Sequence, residues 1–271
     1  MKHKIGIVQM NSSGDIRENL QFAKMQIEQG SRENLDLIAF PETFLYVGND
    51  HQQKHRVAQT LQGEVVQTFQ EYALQSGIDL LLGSIYEEIA ADERHLYNTS
   101  LLINRQGGID AVYRKIYMCD APALGYNESQ GIRPGDTPVV VDHRLGRLGF
   151  SICYDLRFPE LYQTLAAKGA EIIFVPAAFF LHTGRHHWLP LLTARAIENQ
   201  VYIVAPNQWG EHYQGRTSFG HSVVIDPWGA TLCCAPERPC LISCGIDLHY
   251  LREVRQNMPV LTHTRPDLYR N

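Results

Sequence analysis

Short β-rich runs alternate with helical patterns along the chain, and this alternation limits what the sequence can fold into. Residues 4–10 (KIGIVQM) predict a strand, residues 15–29 predict a helix with one apolar face, and residues 35–40 predict a second strand. A helix over 62–77 and a strand over 79–87 continue the series. Strand-helix-strand order is typical of an α/β fold.

The second half of the chain repeats this alternation. A helix is predicted to open at Phe158-Pro159 and run through Lys168, and another covers 188–200. Strands and hairpins are predicted within 97–116, 139–155, 171–179, 201–209, 222–235 and 240–247. No linker or repeat divides the chain, so we predict a single domain over 1–271. Its mixed strand content is too large for one open sheet, which favours two sheets covered by helices.

Composition excludes several classes of partner. The formal net charge is -5, and no run of five like charges offers a footprint for nucleic acid or an anionic membrane. The longest apolar run, 172–181, contains Pro176 and is far shorter than the ~18 residues of a membrane span. The apolar stretch near the start is too short for a signal-peptide core. We therefore expect a soluble, cytoplasmic protein that acts on a small molecule.

Cys153 is the first candidate for chemistry. It lies in GFSICYDLRFPE, directly after a predicted strand and before a helix whose N-terminal amides would favour a thiolate. This is a suitable place for a nucleophile. The alternative is a small core cysteine that ends a strand.

Three charged residues also follow predicted strands or lie in loops. Glu42, in LIAFPETF, comes just after an apolar strand, where α/β folds place ligand sites; it could instead cap a helix. Lys115, in VYRKIYMCD, ends a strand, and Glu128 lies in the loop GYNESQG; each could simply be solvated. Together with Cys153 they would suit acyl transfer: a thiol, a carboxylate base, a cation for the oxyanion and a second carboxylate that holds the cation.

Three ordered segments resemble the motifs of the nitrilase, or carbon-nitrogen hydrolase, superfamily. They are FPETF (40–44), YRKIYMCD (113–120) and SICYDLRFPEL (151–161). The similarity extends over nearly the whole chain, through 187–208, 215–229 and 251–269. Within the superfamily the pattern most resembles the Nit-type amidases, especially the branch that hydrolyses deaminated glutathione.

The resemblance implies roles for the candidate residues. Cys153 would be the nucleophile, Glu42 the general base, Lys115 the stabiliser of the oxyanion, and Glu128 the carboxylate that orients Lys115. The backbone amide of Tyr154 would join Lys115 in the oxyanion hole. The implied fold is a four-layer αββα sandwich, paired into a homodimer or a larger assembly, with no metal or cofactor.

The implied reaction is hydrolysis of a small carboxylated amide, of the deaminated-glutathione or 2-oxoglutaramate type, to an acid and ammonia through a thioester. The chain differs from many relatives at Tyr117, which replaces a histidine, and at 180–182, where larger residues stand near the substrate pocket. Alternative functions are an N-carbamoyl amidase or a nitrilase, and a catalytically silent binding or signalling protein on the same fold. A redox sensor would need Cys153 to pair with a cysteine such as Cys119.

Other residues invite interpretation without deciding the function. The cysteines at 233, 234, 240 and 244 lack a paired zinc knuckle and are better explained by two adjacent strands. Arg195 and Glu198 are expected on a helix surface, where the resemblance suggests a dimer contact. Arg216 and His221 could serve specificity, dimer packing or ordinary loop hydrogen bonding. The role of His182 is open, and Trp188 and Trp228 are expected to be packing residues.

Overall fold

The computed structural model describes residues 2–48, 50–122 and 125–268, and these contain sixteen strands and six α-helices. The strands are β1 (Lys2–Gln9), β2 (Leu37–Ala39), β3 (Asp79–Ile89), β4 (Asp92–Ile103), β5 (Ile109–Arg114), β6 (Asp120–Ala121), β7 (Tyr126–Asn127), β8 (Val140–His143), β9 (Gly146–Phe150), β10 (Ile172–Phe174), β11 (Tyr202–Ala205), β12 (Trp209–Tyr213), β13 (Arg216–Phe219), β14 (Val223–Ile225), β15 (Thr231–Cys234) and β16 (Cys240–Asp247). The helices are α1 (Ile16–Arg32), α2 (His51–Val57), α3 (Glu64–Ser76), α4 (Pro159–Ala167), α5 (Leu181–Asn199) and α6 (Leu248–Asn257).

Twelve of the strands form two six-stranded mixed sheets. The first sheet has the order β16-β1-β2-β3-β4-β5 and the second has the order β15-β14-β11-β10-β9-β8. In each sheet the central strands are parallel, since β2 pairs in parallel with β1 and β3, and β10 pairs in parallel with β9 and β11. The outer pairs are antiparallel. The predicted pair of mixed sheets is confirmed.

Alternating side chains on the strands build the layers. In β3, Leu81 points into the core between the two sheets, whereas Leu80 and Leu82 point to the core shared with α1 and α3. In β10, Ile172 points into the inter-sheet core, and Ile173 packs in the core that includes side chains of α4 and α5. Three stacked hydrophobic cores therefore separate four layers, as the αββα prediction requires.

Helix boundaries differ from the prediction where capping or proline chemistry was ambiguous. The helix predicted over 188–200 begins at Leu181, and Pro190 lies inside it. A proline near a helix start favours the first turn, which explains the late predicted start. The prediction did not include α6, which begins after the Asp247 cap; that carboxylate accepts a hydrogen bond from the His249 amide at 2.9 Å.

The two cysteine-bearing strands β15 and β16 lie at the edges of different sheets, so they are neighbours along the chain but not partners in one sheet. Among the described residues no group of three or more His, Cys, Asp or Glu side chains is placed to hold a metal ion. No helix in the described ranges is long and apolar enough to cross a membrane.

Candidate active site

The predicted site residues meet at one end of the two sheets. Glu42 follows β2 and Lys115 directly follows β5 in the first sheet, whereas Cys153 follows β9 in the second. Glu128 opens a 3-10 helix over Glu128–Gln130. The thiol therefore comes from the second sheet, and the charged groups come from the first sheet and from a loop.

The turn that carries Glu42 is fixed by close backbone packing against β3. The Thr43 amide donates a hydrogen bond to the Ser84 hydroxyl at 2.8 Å, and Thr43 has a φ of 49°. Gly83 lies so close that a Cβ atom there would collide with the carbonyls of Phe40 and Pro41. Only glycine permits this close contact, so Gly83 helps to fix the position of the backbone that carries Glu42.

Cys153 has a backbone conformation that is uncommon for a residue with a side chain. Its φ is 47°, in the left-handed region, and its amide donates to the Pro176 carbonyl at 2.9 Å. This geometry costs free energy and needs support from its surroundings. The residue as a whole is partly exposed, and it lines a cavity together with Glu42 and Lys115.

Lys115 lies between two carboxylates. Its Nζ atom is 2.9 Å from Glu42 Oε1 and 2.8 Å from Glu128 Oε2. All three side chains are buried, so the charges interact with little screening by solvent. The Glu128 Oε2 atom also accepts a hydrogen bond from the Cys119 amide at 2.7 Å. The structure therefore brings together Glu42, Lys115 and Glu128 as the sequence predicts.

Asn98 completes this cluster, and sequence reasoning missed it. Its Nδ2 atom donates to Glu42 Oε1 at 2.9 Å and to Glu128 Oε1 at 3.3 Å. Its backbone carbonyl accepts from the Lys115 amide at 2.9 Å. A polar Asn-Thr-Ser run that is buried directly before the apolar end of strand β4 was the signal that could have found it.

Charges in the cluster determine the protonation states. Burial opposes ionisation of Glu42, but the charge and hydrogen bond of Lys115 hold the pKa of Glu42 below its usual range. Burial likewise opposes the charge on Lys115, yet Glu128 and then Glu42 hold its pKa well above the usual range. Glu42 is thus a carboxylate and Lys115 an ammonium at neutral pH.

The thiol of Cys153 behaves differently from the sequence-based expectation of a thiolate. Burial and then the Glu42 charge raise the pKa of Cys153 well above its usual range, although Lys115 opposes them. The element that begins at Cys153 is only a five-residue 3-10 helix, and α4 starts at Pro159. The resting pair is therefore a neutral thiol beside a carboxylate that can accept its proton.

The resemblance assigns the Tyr154 amide to the oxyanion hole. It lies in the 3-10 helix Cys153–Arg157, directly after the thiol, and no described residue accepts a hydrogen bond from it. The Tyr154 residue lines the same cavity as Lys115. A free amide and an ammonium beside one thiol can together stabilise negative charge on a substrate oxygen.

Asp155 ties the Cys153 segment to the Lys115 segment. Its carboxylate accepts hydrogen bonds from the Tyr113 hydroxyl at 2.6 Å, the Tyr117 amide at 2.9 Å and the Ile152 amide at 2.8 Å. Burial raises the pKa of Asp155 to about 6, although the bond from Tyr113 and the other donors oppose this shift. Sequence reasoning did not single out this residue, because an acid two positions after a cysteine has no distinctive spacing.

Arg195 contradicts the expectation of a helix-surface residue. It is buried, and its guanidinium donates twice to the Leu156 carbonyl, at 3.2 and 2.9 Å. Its Nη1 atom pairs with Glu198 at 2.9 Å. Arg195 therefore supports the 3-10 helix that carries Cys153 from within the chain.

Two cavities adjoin the cluster. The smaller one contains the thiol and is lined by Glu42, Lys115, Cys119, Tyr126, Cys153, Tyr154, Arg157, Ala178, Phe179, Phe180, Thr183 and Arg216. The larger one has a volume of about 450 Å³, within the range of about 300–1,000 Å³ that is typical of ligand sites. Glu42, Tyr126, Ala178 and Arg216 border both. Two guanidinium groups, Arg157 and Arg216, therefore lie near the thiol.

The remaining residues named from the sequence lie around this region. Tyr117 stacks on Phe158 with ring centroids 3.6 Å apart, and it lines neither of these two cavities. His182 is exposed in a separate surface depression. His221 stacks on Phe219 at 4.3 Å. Burial raises the pKa of Cys119 to about 11, which disfavours the thiolate that a redox partner of Cys153 would need.

Comparisons with known proteins identify the family of this chain. A family model described as carbon-nitrogen hydrolase matches residues 4–256. The deaminated glutathione amidase of Dictyostelium discoideum is 40% identical over 277 aligned residues, which cover 98% of this chain and 95% of that protein. The chain belongs to the carbon-nitrogen hydrolase family, and it is accordingly a hydrolase of carbon-nitrogen bonds.

Solved structures support the same fold. The crystal structure of the C. elegans NitFhit protein superimposes with a TM-score of 0.94 at 38% identity, covering 99% of this chain and 66% of that chain. The crystal structure of Saccharomyces cerevisiae Nit3, described as a member of branch 10 of the nitrilase superfamily, has a TM-score of 0.86 at 31% identity. That match covers 96% of this chain and 95% of the yeast chain.

Proposed function

We propose that this chain is a thiol amidase that hydrolyses a small carboxylated amide through a thioester on Cys153. The observation that carries the proposal is the neutral Cys153 thiol beside the Glu42 carboxylate, with Lys115 held between Glu42 and Glu128. These groups supply a nucleophile, a base and a fixed positive charge within one cavity.

The first half of the reaction forms the thioester. Glu42 accepts the thiol proton as the Cys153 sulfur attacks the carbonyl carbon of the amide. The oxygen that becomes negative is stabilised by Lys115 and the Tyr154 amide; losing one such donor typically costs about 3–4 kcal/mol of barrier. The carbon-nitrogen bond then breaks, and the proton on Glu42 passes to the leaving nitrogen.

The second half returns the enzyme to its resting state. Glu42 takes a proton from a water molecule, whose oxygen attacks the thioester carbon. The carbon-sulfur bond breaks, the acid leaves, and the proton on Glu42 returns to the sulfur. Glu128 and Asn98 are positioning residues in this scheme, because they hold Lys115 and Glu42 without a role in bond making.

A carboxylated substrate fits the charges around the thiol. Arg157 and Arg216 both line the cavity that contains Cys153, and no carboxylate other than Glu42 lines it among the described residues. The most similar curated relatives include proteins named deaminated glutathione amidase. Deaminated glutathione and 2-oxoglutaramate are therefore the amides that we propose first.

Hydrolysis of an amide panel tests this proposal. The panel contains deaminated glutathione, 2-oxoglutaramate, an N-carbamoyl amine and a nitrile, and release of acid is measured for the unmodified protein and for Cys153→Ala. We expect rapid release from the two carboxylated amides and none in the variant. Turnover of only the carbamoyl or nitrile compound would change the substrate class, and no turnover by a folded protein would favour a silent binding protein.

We also propose that the chain works as a homodimer in the cytoplasm. Ile197 on α5 is 50% exposed, and it lies against Gly229, next to Trp228. Trp228 is 56% exposed rather than the packing residue that was expected, whereas Trp188 is fully buried as expected. Exposed apolar side chains at one place support a contact between copies through α5. Sedimentation of the unmodified protein and of Ile197→Glu tests the dimer, and cell fractionation tests the location.

A further inference from the structure

Glu42 lines both cavities. If the proposed function is right, the two halves of the substrate therefore occupy different cavities. Cys153 and Lys115 line only the smaller cavity, and the larger cavity does not include the thiol. Because Glu42 passes its proton to the leaving nitrogen, that nitrogen must lie beside Glu42. The amine half of the substrate can then extend into the larger cavity.

The larger cavity has a cationic lining. Lys54, His55, Arg94 and Arg216 contribute basic side chains. Among the described residues its two carboxylates are Glu42 and Glu128, and both already pair with Lys115. The free charge of this cavity is therefore positive, which suits an anionic group on the ligand.

Arg216 carries a buried guanidinium that lacks a full set of partners. It is 8% exposed, and its Nη2 atom donates to the Ala178 carbonyl at 2.8 Å. Its buried Nη1 atom has no hydrogen-bond partner among the described residues, and none of their carboxylates forms an ion pair with it. The Phe180 ring lies 3.9 Å from the guanidinium and restrains its plane. A buried guanidinium without a counter-ion is costly, and a carboxylate is the group that best satisfies its fork of donors.

Lys54 supplies a second cation in the same cavity. Its Nζ atom lies 5.9 Å from the centre of the Tyr86 ring, and no carboxylate in the described ranges pairs with it. Burial lowers the pKa of Lys54, Glu128 opposes this shift, and the charge of Arg216 lowers the pKa further. Both cations line the same cavity, where like charges disfavour each other. An anion between them would relieve this repulsion.

We propose that the larger cavity binds the amine half of the amide and that Arg216 and Lys54 hold a carboxylate on that amine. These two cations would favour an amide whose leaving group is an amino acid or a short peptide with a free carboxylate. The carbon-nitrogen bond that breaks joins the acyl group on Cys153 to this amine. Deaminated glutathione has such a carboxylate at its glycine end, and 2-oxoglutaramate, a primary amide, does not.

A matched substrate pair tests this proposal. We compare deaminated glutathione with its C-terminal carboxamide, which differs only in the charge at the glycine end. We expect kcat/KM to be at least about tenfold higher for the acid, because hydrogen bonds to charged groups contribute that much. Lys54→Gln and Arg216→Lys should each reduce this ratio, mainly through KM for the acid.

Arg56→Gln is the control variant. Arg56 lies on α2, as Lys54 does, but it is exposed and lines neither cavity, so the ratio should stay at the value of the unmodified protein. A ratio near one in the unmodified protein, or a ratio that Lys54→Gln leaves unchanged, would overturn the proposal while the amidase function stands.

Binding to an inactive protein separates this proposal from the amidase function. Cys153→Ala is titrated with the acid and the carboxamide by calorimetry, with and without Lys54→Gln. Tighter binding of the acid that is lost in the double variant supports the carboxylate site even if no amide is turned over. Equal binding of the two ligands contradicts it.

Discussion

Asp155 accepts a hydrogen bond from the Tyr113 hydroxyl at 2.6 Å, and this bond joins the two sheets beside the proposed nucleophile. Tyr113 lies in β5 two residues before Lys115, and Asp155 follows Cys153 by two residues. The same carboxylate accepts from the Tyr117 amide, beyond Lys115. The distance between thiol and ammonium therefore depends on one buried acid that touches neither.

Replacement of Asp155 by asparagine should destabilise the protein and remove a pH dependence. The asparagine NH2 would face donors that now bind a carboxylate, which costs roughly 1–3 kcal/mol in the free energy of unfolding. In the native protein the pKa of Asp155 is about 6, above its ordinary value of 3.8, so the folded state binds the extra proton between these values. The stability contributed by this group is therefore full below pH 3.8 and is lost as the pH rises through about 6.

Urea unfolding at several pH values between about 4 and 7 checks this prediction. The stability difference between the native protein and Asp155→Asn should shrink as the pH rises through that window. Asp142→Asn is the control, since the Asp142 side chain is 87% exposed and should give a small difference without this pH trend. A constant difference across the window would contradict a raised pKa at Asp155.

The loss of stability caused by removing the Lys115 charge should be partly recovered when the Glu128 charge is removed as well. Lys115→Met leaves two buried carboxylates without their common cation. Such a change lowers the free energy of unfolding by about 3–5 kcal/mol. Glu128→Gln in the Lys115→Met background removes one of these charges and should recover part of the stability. Neither variant should hydrolyse amides, because both lack the ammonium.

Denaturant unfolding of the two single variants and the double variant measures this coupling. The prediction is wrong if the changes in the free energy of unfolding of the two single variants sum to the change in the double variant. Such additivity would mean that Lys115 and Glu128 do not depend on each other, despite the 2.8 Å separation of their charged atoms.

Among the three groups Glu42, Lys115 and Cys153, only Glu42 should change its charge over the acidic and neutral range. Lys115 lowers the pKa of Glu42 against the effect of burial, and the pKa values of Cys153 and Lys115 lie well above their usual ranges. We therefore expect kcat/KM to fall at acidic pH, where Glu42 takes up a proton, and to be flat between about pH 7 and 9, above the titration of Asp155. Glu42→Gln should lower kcat/KM by about 10²–10⁴.

A pH profile of kcat/KM with a carboxylated amide provides the measurement. A rise in activity with an apparent pKa near neutrality would indicate that formation of a thiolate limits the reaction. That result would contradict the resting pair of thiol and carboxylate.

The sequence predicted the parts of this site that follow from strand ends and local motifs. Cys153, Glu42 and Lys115 each lie at or just after the end of a predicted strand, so their position at one edge of the sheets could be inferred. Asn98 and Asp155 could not be found this way, because their importance depends on contacts between segments far apart in the chain.

The cationic cavity was equally hidden from the sequence. Lys54 comes from a short polar helix without apolar periodicity, and Arg216 comes from a strand of a two-stranded ribbon. Only tertiary packing brings these two cations beside Glu42. Tertiary packing also explains why Cys153 is not the thiolate that its local sequence suggested. Burial and the Glu42 charge raise its pKa and outweigh the effect of the helix that follows.

The most direct test of the central claim is identification of the acylated residue during turnover. Deaminated glutathione is mixed with the protein, the reaction is quenched in acid within its first turnovers, and peptides are mapped by mass spectrometry. We predict the mass of the acyl group on the peptide that contains Cys153, and no such adduct in Cys153→Ala or after completion of hydrolysis. An adduct on Cys119 instead, or continued hydrolysis by Cys153→Ala, would contradict the proposed mechanism.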